Sequence, residues 1–210
     1  VEKYVVKLLT ERLTESYTYH NLNHTMDVVK ASRIIASYEG LMEEELEILL
    51  VSAWFHDLGY IETNTEHELA SSSIAAGFLK NEQLSDTYIK AVENCILATR
   101  LPQKPSSKMA KILCDADAYH LSQDSFLQLS LALREEWRAL GYKSIKKSEF
   151  LKQSLNFIKN HRFHTQYGIK ILEPLRQRNV ELVEAIVKKN EAKKSNRMAK
   201  KTNKKLRLNG

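Results

Sequence analysis

The apolar run Ile48–Phe55 (ILLVSAWF) ends directly in His56-Asp57. Together with the acidic stretch EEELE that precedes it, the segment predicts one helix from Glu43 to about Asp57. A helix that is apolar nearly all round has no face to give to water, so it must lie at the centre of its domain with other elements packed around it. His56 falls three residues after Ala53 and seven after Leu49, on the same helical stripe. An imidazole and a carboxylate are thus carried into or beside the core, where a charge is costly unless it is paired or bound to a metal.

The rest of the chain supplies helices to surround that segment. Helical spacing of apolar residues predicts further helices at 2–15, 24–38, 67–80, 85–99, 107–121, 123–140, 147–160 and 165–190, with Pro174 kinking or dividing the last. Gly40 closes the 24–38 helix, and Gly59 stands where a C-terminal cap is wanted. No stretch alternates in the manner of a strand, and the 6 Gly and 3 Pro are too few for the many tight turns of a sandwich or barrel. The expected fold is an all-α bundle of roughly seven to nine helices, one domain over residues 1–190.

The net charge of +6 and pI near 9.2 suggest a polyanion-binding protein only until the charges are located. Residues 191–210 hold eight basic residues and one acidic residue, which leaves 24 basic and 25 acidic residues for positions 1–190. The folded part is balanced, which argues against nucleic-acid binding by it. The basic tail is expected to be disordered and solvated, or to touch a polyanion or an anionic membrane. Cys95 and Cys114 are far apart and outside any CxxC arrangement, so they are expected to be reduced core thiols. With no signal-peptide pattern and no apolar run of membrane length, a soluble, cytoplasmic protein is expected.

By itself His-Asp is a weak signal; with 7 His and 6 Asp in 210 residues, roughly 0.2 such pairs arise by chance. Its companions matter more. Upstream stands YHNLNHTMDV, with His20 and His24 four apart; downstream stands LCDADAYH, with Asp115, Asp117 and His120 in an otherwise apolar helix. Three separated segments each offer imidazole or carboxylate to the interior, and a shared divalent ion would account for all of them. A set of two imidazoles and two carboxylates suits Mn, Fe, Co, Ni, Zn or Mg better than a thiolate site would. Four side chains on a six-coordinate ion leave positions open for water and substrate.

The pattern H…HD…D resembles the HD superfamily of metal-dependent phosphohydrolases, over about residues 15 to 125. That resemblance implies metal ligands at His24, His56, Asp57 and Asp117, with Ala116-Asp117 matching the family's alanine-aspartate segment and favouring Asp117 over Asp115. It implies a divalent ion, with room for a second, weaker one bridged by Asp57. Within the superfamily, YHNLNHTMDV is similar to the YHNxxHAxDV signature of cyclic nucleotide phosphodiesterases, with Thr25 in place of alanine. By that match His20 is a histidine acid for the leaving oxygen, while the C-terminal third shows no counterpart of those enzymes' glutamine-bearing base pocket. The alarmone hydrolases of the superfamily are matched less well, since Gly59-Tyr60 stands where they keep an acidic pair. The implied activity is hydrolysis of a phosphoester or phosphodiester in a nucleotide-like small molecule by metal-activated water, with His20 and Asp57 catalytic. The alternative is a nucleotide-sensing domain that binds metal and ligand without turnover.

Other residues carry two readings each. Arg100 and Lys104 are candidates to hold phosphate charge, against the ordinary role of surface cations. His67 and Glu68 are either partners behind the metal ligands or helix N-terminal chemistry. His120 either supports the site or is a satisfied core histidine. His161 and His164 read as non-ligands for want of a carboxylate nearby. Trp54 and Trp137 read as core, with Trp54 the better placed to line the site. Tyr17, Tyr19 and Tyr60 read as packing more readily than as a base-stacking surface.

Overall fold

The computed structural model describes residues 1–142 and 146–208, with side chains described as far as Ser195. Among the described residues there are nine α-helices and no strand: α1 (Glu2–Arg12), α2 (Leu22–Glu39), α3 (Glu43–Phe55), α4 (His67–Asn81), α5 (Asp86–Ala98), α6 (Lys108–Asp117), α7 (Phe126–Ala139), α8 (Lys147–Asn160) and α9 (Glu173–Leu208). Short 3₁₀ turns at Leu58–Ile61 and Ala118–Ser122 follow α3 and α6.

Helix α3 is the central element. Leu49 and Ala53 enter one core cluster, shared with α2, α6, α8 and α9, while Val51 and Phe55 enter a second, shared with α1, α4 and α5. Trp54 packs against both. Leu49 and Phe55 are fully buried, and each such side chain contributes about 1.5–3 kcal/mol through burial. The all-round apolar run therefore finds partners on every side.

Helix α2 starts two residues earlier than the spacing predicts, because Asn21 is its cap. The Asn21 Oδ1 accepts from the amides of Asn23 (3.0 Å) and His24 (3.3 Å), which satisfies two of the orphan donors of the first turn. Gly40 ends the helix in the left-handed region, with φ 62°, as expected for a glycine in that place.

Gly59 has a different role from the expected cap. A Cβ on it would lie 2.1 Å from the His67 carbonyl oxygen and 2.7 Å from the Ser71 amide. Its missing side chain lets the start of α4 rest directly on the turn after Asp57, and the Gly59 amide donates to Ser71 Oγ at 2.7 Å. Glu66, just before α4, takes a positive φ of 54°, a sparsely populated conformation for a residue with a Cβ.

The division expected at Pro174 occurs just before it, where a π-helical segment, Gly168–Leu172, leads into α9. Proline has no amide to give to the helix ladder, so the bonding pattern shifts there. Helix α9 then continues to Leu208, so the backbone of the expected disordered tail is helical that far. The stretch is rich in Lys, with Arg, Ala and Leu, all good helix formers. The expected contact of the tail with a polyanion or membrane falls on side chains mostly outside the described residues. No helix among the described residues is long and apolar enough to cross a membrane.

Candidate metal centre and active-site chamber

Four side chains meet at the ends of three core helices. Asn21 caps α2 and so places His24 in its first turn; His56 closes α3; Asp57 follows it with φ −109° and ψ 4°; Asp117 is the last residue of α6. The Asp57 backbone lies near the sparsely allowed bridge region, where active-site residues are often found. His24 Nε2 lies 3.3 Å from Asp57 Oδ2 and 3.3 Å from Asp117 Oδ1. His56 Nε2 lies 3.3 Å from Asp57 Oδ2, 3.8 Å from Asp117 Oδ1 and 3.4 Å from His24 Nε2.

The donor atoms have the character of a ligand set. His24, His56 and Asp117 each present an atom within 4.8 Å of the other two, and Asp57 Oδ2 joins both imidazoles. Donors about 2.1 Å from one ion stand about 3.0–3.4 Å apart, close to the separations observed. Asp57 Oδ2 is buried and has no hydrogen bond despite its proximity to both rings, so its neighbours surround a common centre with it and do not point at it. His56 Nδ1 donates to the Ala53 carbonyl at 2.8 Å. That bond fixes the tautomer, leaving the Nε2 lone pair of the neutral ring for a metal.

Electrostatics agree. Burial opposes charge on His24, yet the Asp117 and Asp57 carboxylates override it and raise its pKa to about 10. His56 is likewise raised, burial again being outweighed by Asp57. Burial pushes the Asp57 carboxyl up, but His56, His24 and His67 together hold it well below its ordinary value. The carboxylates draw positive charge into the cluster, and a divalent cation supplies it without protonating the imidazoles.

The two acidic residues of α6 take separate paths, because positions two apart on a helix diverge by about 200°. Asp117 reaches the cluster. Asp115, fully buried, accepts from the amides of His164 (2.8 Å) and Thr165 (2.9 Å) and from Thr165 Oγ1 (2.6 Å). It fixes the turn before the π-helical segment, against Gly168, and lies outside the metal cluster.

His20 lies outside α2, with its ring 5.8 Å from that of His24. Its Nδ1 bonds to Glu136 Oε1, and Glu136 Oε2 accepts from the amides of Tyr19 (2.8 Å) and His20 (2.9 Å). Glu136, on α7, is fully buried. Sequence reasoning missed it. The only available signal was a carboxylate beside Trp137 in REEW, which reads equally well as a solvated helix position.

His67 Nε2 lies 3.4 Å from Asp57 Oδ1 and 3.6 Å from Glu68 Oε1. Tyr60 stacks on His67 at 3.9 Å and also meets the His20 ring at 4.5 Å. Tyr19 and Tyr60 therefore pack against the imidazoles of the site, and Tyr17 packs on Tyr60. His120 Nδ1 lies 3.0 Å from both the Tyr19 hydroxyl and the Asp117 carbonyl oxygen, and burial, aided by His24, lowers its pKa to about 4.

The cluster opens into a chamber of about 430 Å³ that His20, Asp57, His67, Glu68, Asp117 and His120 all line. A second cleft of about 440 Å³ shares Asp117 and His120 and carries His24, Asp27 and Lys30. The two expected phosphate-holding cations are in neither. Arg100 is held at the surface by Glu66, 2.5 Å away, and Lys104 is exposed. Trp54 packs in the core, as expected, whereas Trp137, also expected there, lines the chamber. His164 bonds to Gln103 at 3.2 Å, whereas His161 lines the chamber, so the two form no metal pair. Both cysteines are free and buried.

The HD domain family model matches residues 21–122. The fold is shared with a "predicted HD superfamily hydrolase" from an uncultured Thermotogales bacterium, at 17% identity and a TM-score of 0.57, covering 91% of each chain. It is shared also with a protein from Lactobacillus plantarum, at 15% identity and a TM-score of 0.64, covering 93% of this chain and 98% of that one. No match emerges among curated proteins. The matched stretch contains all four residues of the cluster, His24, His56, Asp57 and Asp117, so the HD domain likeness and the ligand geometry fall on the same part of the chain.

Proposed function

We propose that this protein hydrolyses a phosphoester or phosphodiester bond in a nucleotide-like small molecule. The observation that carries the reading is the pairing of a metal-ligand cluster with a separately supported imidazole, His20, in one chamber. His24, His56, Asp57 and Asp117 would hold a divalent ion, which would supply polarisation of a phosphoryl oxygen and acidify water near neutral pH.

The chain's own residues do the rest. A carboxylate can only accept, so Glu136 requires the proton of His20 on Nδ1 and leaves Nε2 for the substrate. The protonated Nε2 gives its proton to the leaving alkoxide as the P–O bond breaks, and the ring is reprotonated from solvent. Asp57 divides its oxygens between the ligand cluster and His67, which fixes its orientation. Tyr60, stacked on His67 and His20, keeps both rings in place and excludes water from one side.

The test is turnover of a panel of phosphoesters and cyclic nucleotides with Mn, by the full chain and by Asp57→Ala. Hydrolysis by the parent and a loss of about 100-fold or more in the variant is expected. Equal rates would remove catalysis. Metal and nucleotide binding without turnover in both would favour the sensing alternative.

A further inference from the structure

The chamber continues past the metal cluster into the C-terminal half of the chain, beyond the part matched as an HD domain. There its wall is aromatic: Phe126 and Trp137 from α7, Phe150 and Phe157 from α8. Phe157 keeps 44% of its surface exposed while lining this space. Phe126 and Phe150 are buried behind that wall, and Trp137 and Phe157 are the aromatic faces left open; an open aromatic face in a concave site is the usual signature of an organic ligand's body.

Charge sharpens the reading. Among the described residues no Lys or Arg lines the chamber, while Asp57, Glu68 and Asp117 do. Beside Phe157, at a ring distance of 6.2 Å, His161 has its Nε2 buried without a hydrogen-bond partner. Burial, with help from Arg176, lowers the His161 pKa to about 4. That ring is therefore neutral at physiological pH and offers hydrogen-bonding capacity but no cation. One phosphoryl group has a place at the metal cluster. Each further phosphate would bring negative charge against aromatic walls and carboxylates with nothing to neutralise it.

We propose that the chamber selects a phosphomonoester or single phosphodiester with an aromatic body, held against Phe157 and its neighbours on α7 and α8, and rejects polyphosphates. This rests on the phosphoester reading of the metal site but concerns a different part of the chain.

The experiment compares AMP, phenyl phosphate, ribose 5-phosphate and ATP as substrates of the full chain with Mn. AMP or phenyl phosphate should exceed ribose 5-phosphate in kcat/KM by about tenfold or more, through the stacked body, and AMP should exceed ATP by at least as much. Phe157→Ala alters an exposed side chain, so the fold should hold. It should raise KM for the aromatic substrates several-fold and leave ribose 5-phosphate unchanged. Quenching of tryptophan fluorescence is read in parallel without turnover. AMP should quench the parent and not Trp137→Phe, and ATP should quench weakly. If no phosphoester is hydrolysed but AMP quenches as described, the hydrolase reading fails and the chamber assignment stands. ATP or ribose 5-phosphate used as well as AMP would overturn the assignment, as would absence of AMP quenching.

Discussion

Glu136 is the residue whose removal most sharply tests how the site works. Its carboxylate serves three donors: the amides of Tyr19 and His20 on Oε2, and His20 Nδ1 on Oε1. Alanine would strand two buried amides at about 1–3 kcal/mol each, which confounds catalysis with folding. Glutamine separates them. Its carbonyl oxygen can keep both backbone bonds, which turns its NH₂ toward His20 Nδ1. That nitrogen must then accept, so the doubly protonated ring needed to release a proton from Nε2 is disfavoured. General-acid assistance is worth about 10²–10⁴-fold, so Glu136→Gln should lower kcat by at least about 100-fold for an alkyl phosphoester. It should lower kcat no more than about threefold for 4-nitrophenyl phosphate, whose phenolate leaves without a proton. Rates are read by phosphate and nitrophenolate release at saturating substrate, with thermal melting to check the fold. An equal loss for both leaving groups would refute the argument, reducing Glu136 to a structural prop.

Three further outcomes follow from the geometry. In chelator-treated protein the His24 pKa, raised to about 10, stabilises the fold fully below its unfolded value near 6.5, and that contribution is lost as pH rises through 10; Tm should fall across that window without metal and stay flatter with Mn, and a parallel pair of pH–Tm curves would contradict it. Asp115→Ala should destabilise by about 2–4 kcal/mol, since it strands the His164 and Thr165 amides, yet retain metal, whereas Asp117→Ala should lose metal; metal analysis with denaturant titration separates the two. Gly59→Ala should cost at least about 1–3 kcal/mol by overpacking against the His67 carbonyl and should lower activity through His67, as urea titration and turnover would show.

How far the site is legible in the sequence depends on where each residue's reason lies. His56-Asp57 is legible because its anomaly is local: ionisable residues closing an apolar helix. Asp117 needs the family likeness to be preferred over Asp115, but helix geometry explains the choice, since the two must face opposite ways. The place of Gly59 is visible and its reason is not, because close approach by α4 is a fact about two segments. Glu136 is the limiting case. Its neighbours Glu135 and Arg138 are ordinary helix-surface charges that pair with each other, and nothing in REEWR marks one carboxylate as buried. Its role exists only because α7 folds back over the Tyr19-His20 amides, 116–117 residues away in sequence. The same holds for the aromatic wall on α7 and α8, where Trp137 reads as core until the chamber beside it is seen. A metal cluster gathers residue types with few alternative uses, so it announces itself in a sequence. A substrate wall and a positioning carboxylate use the commonest residues of any helix, and only tertiary packing separates them from their neighbours.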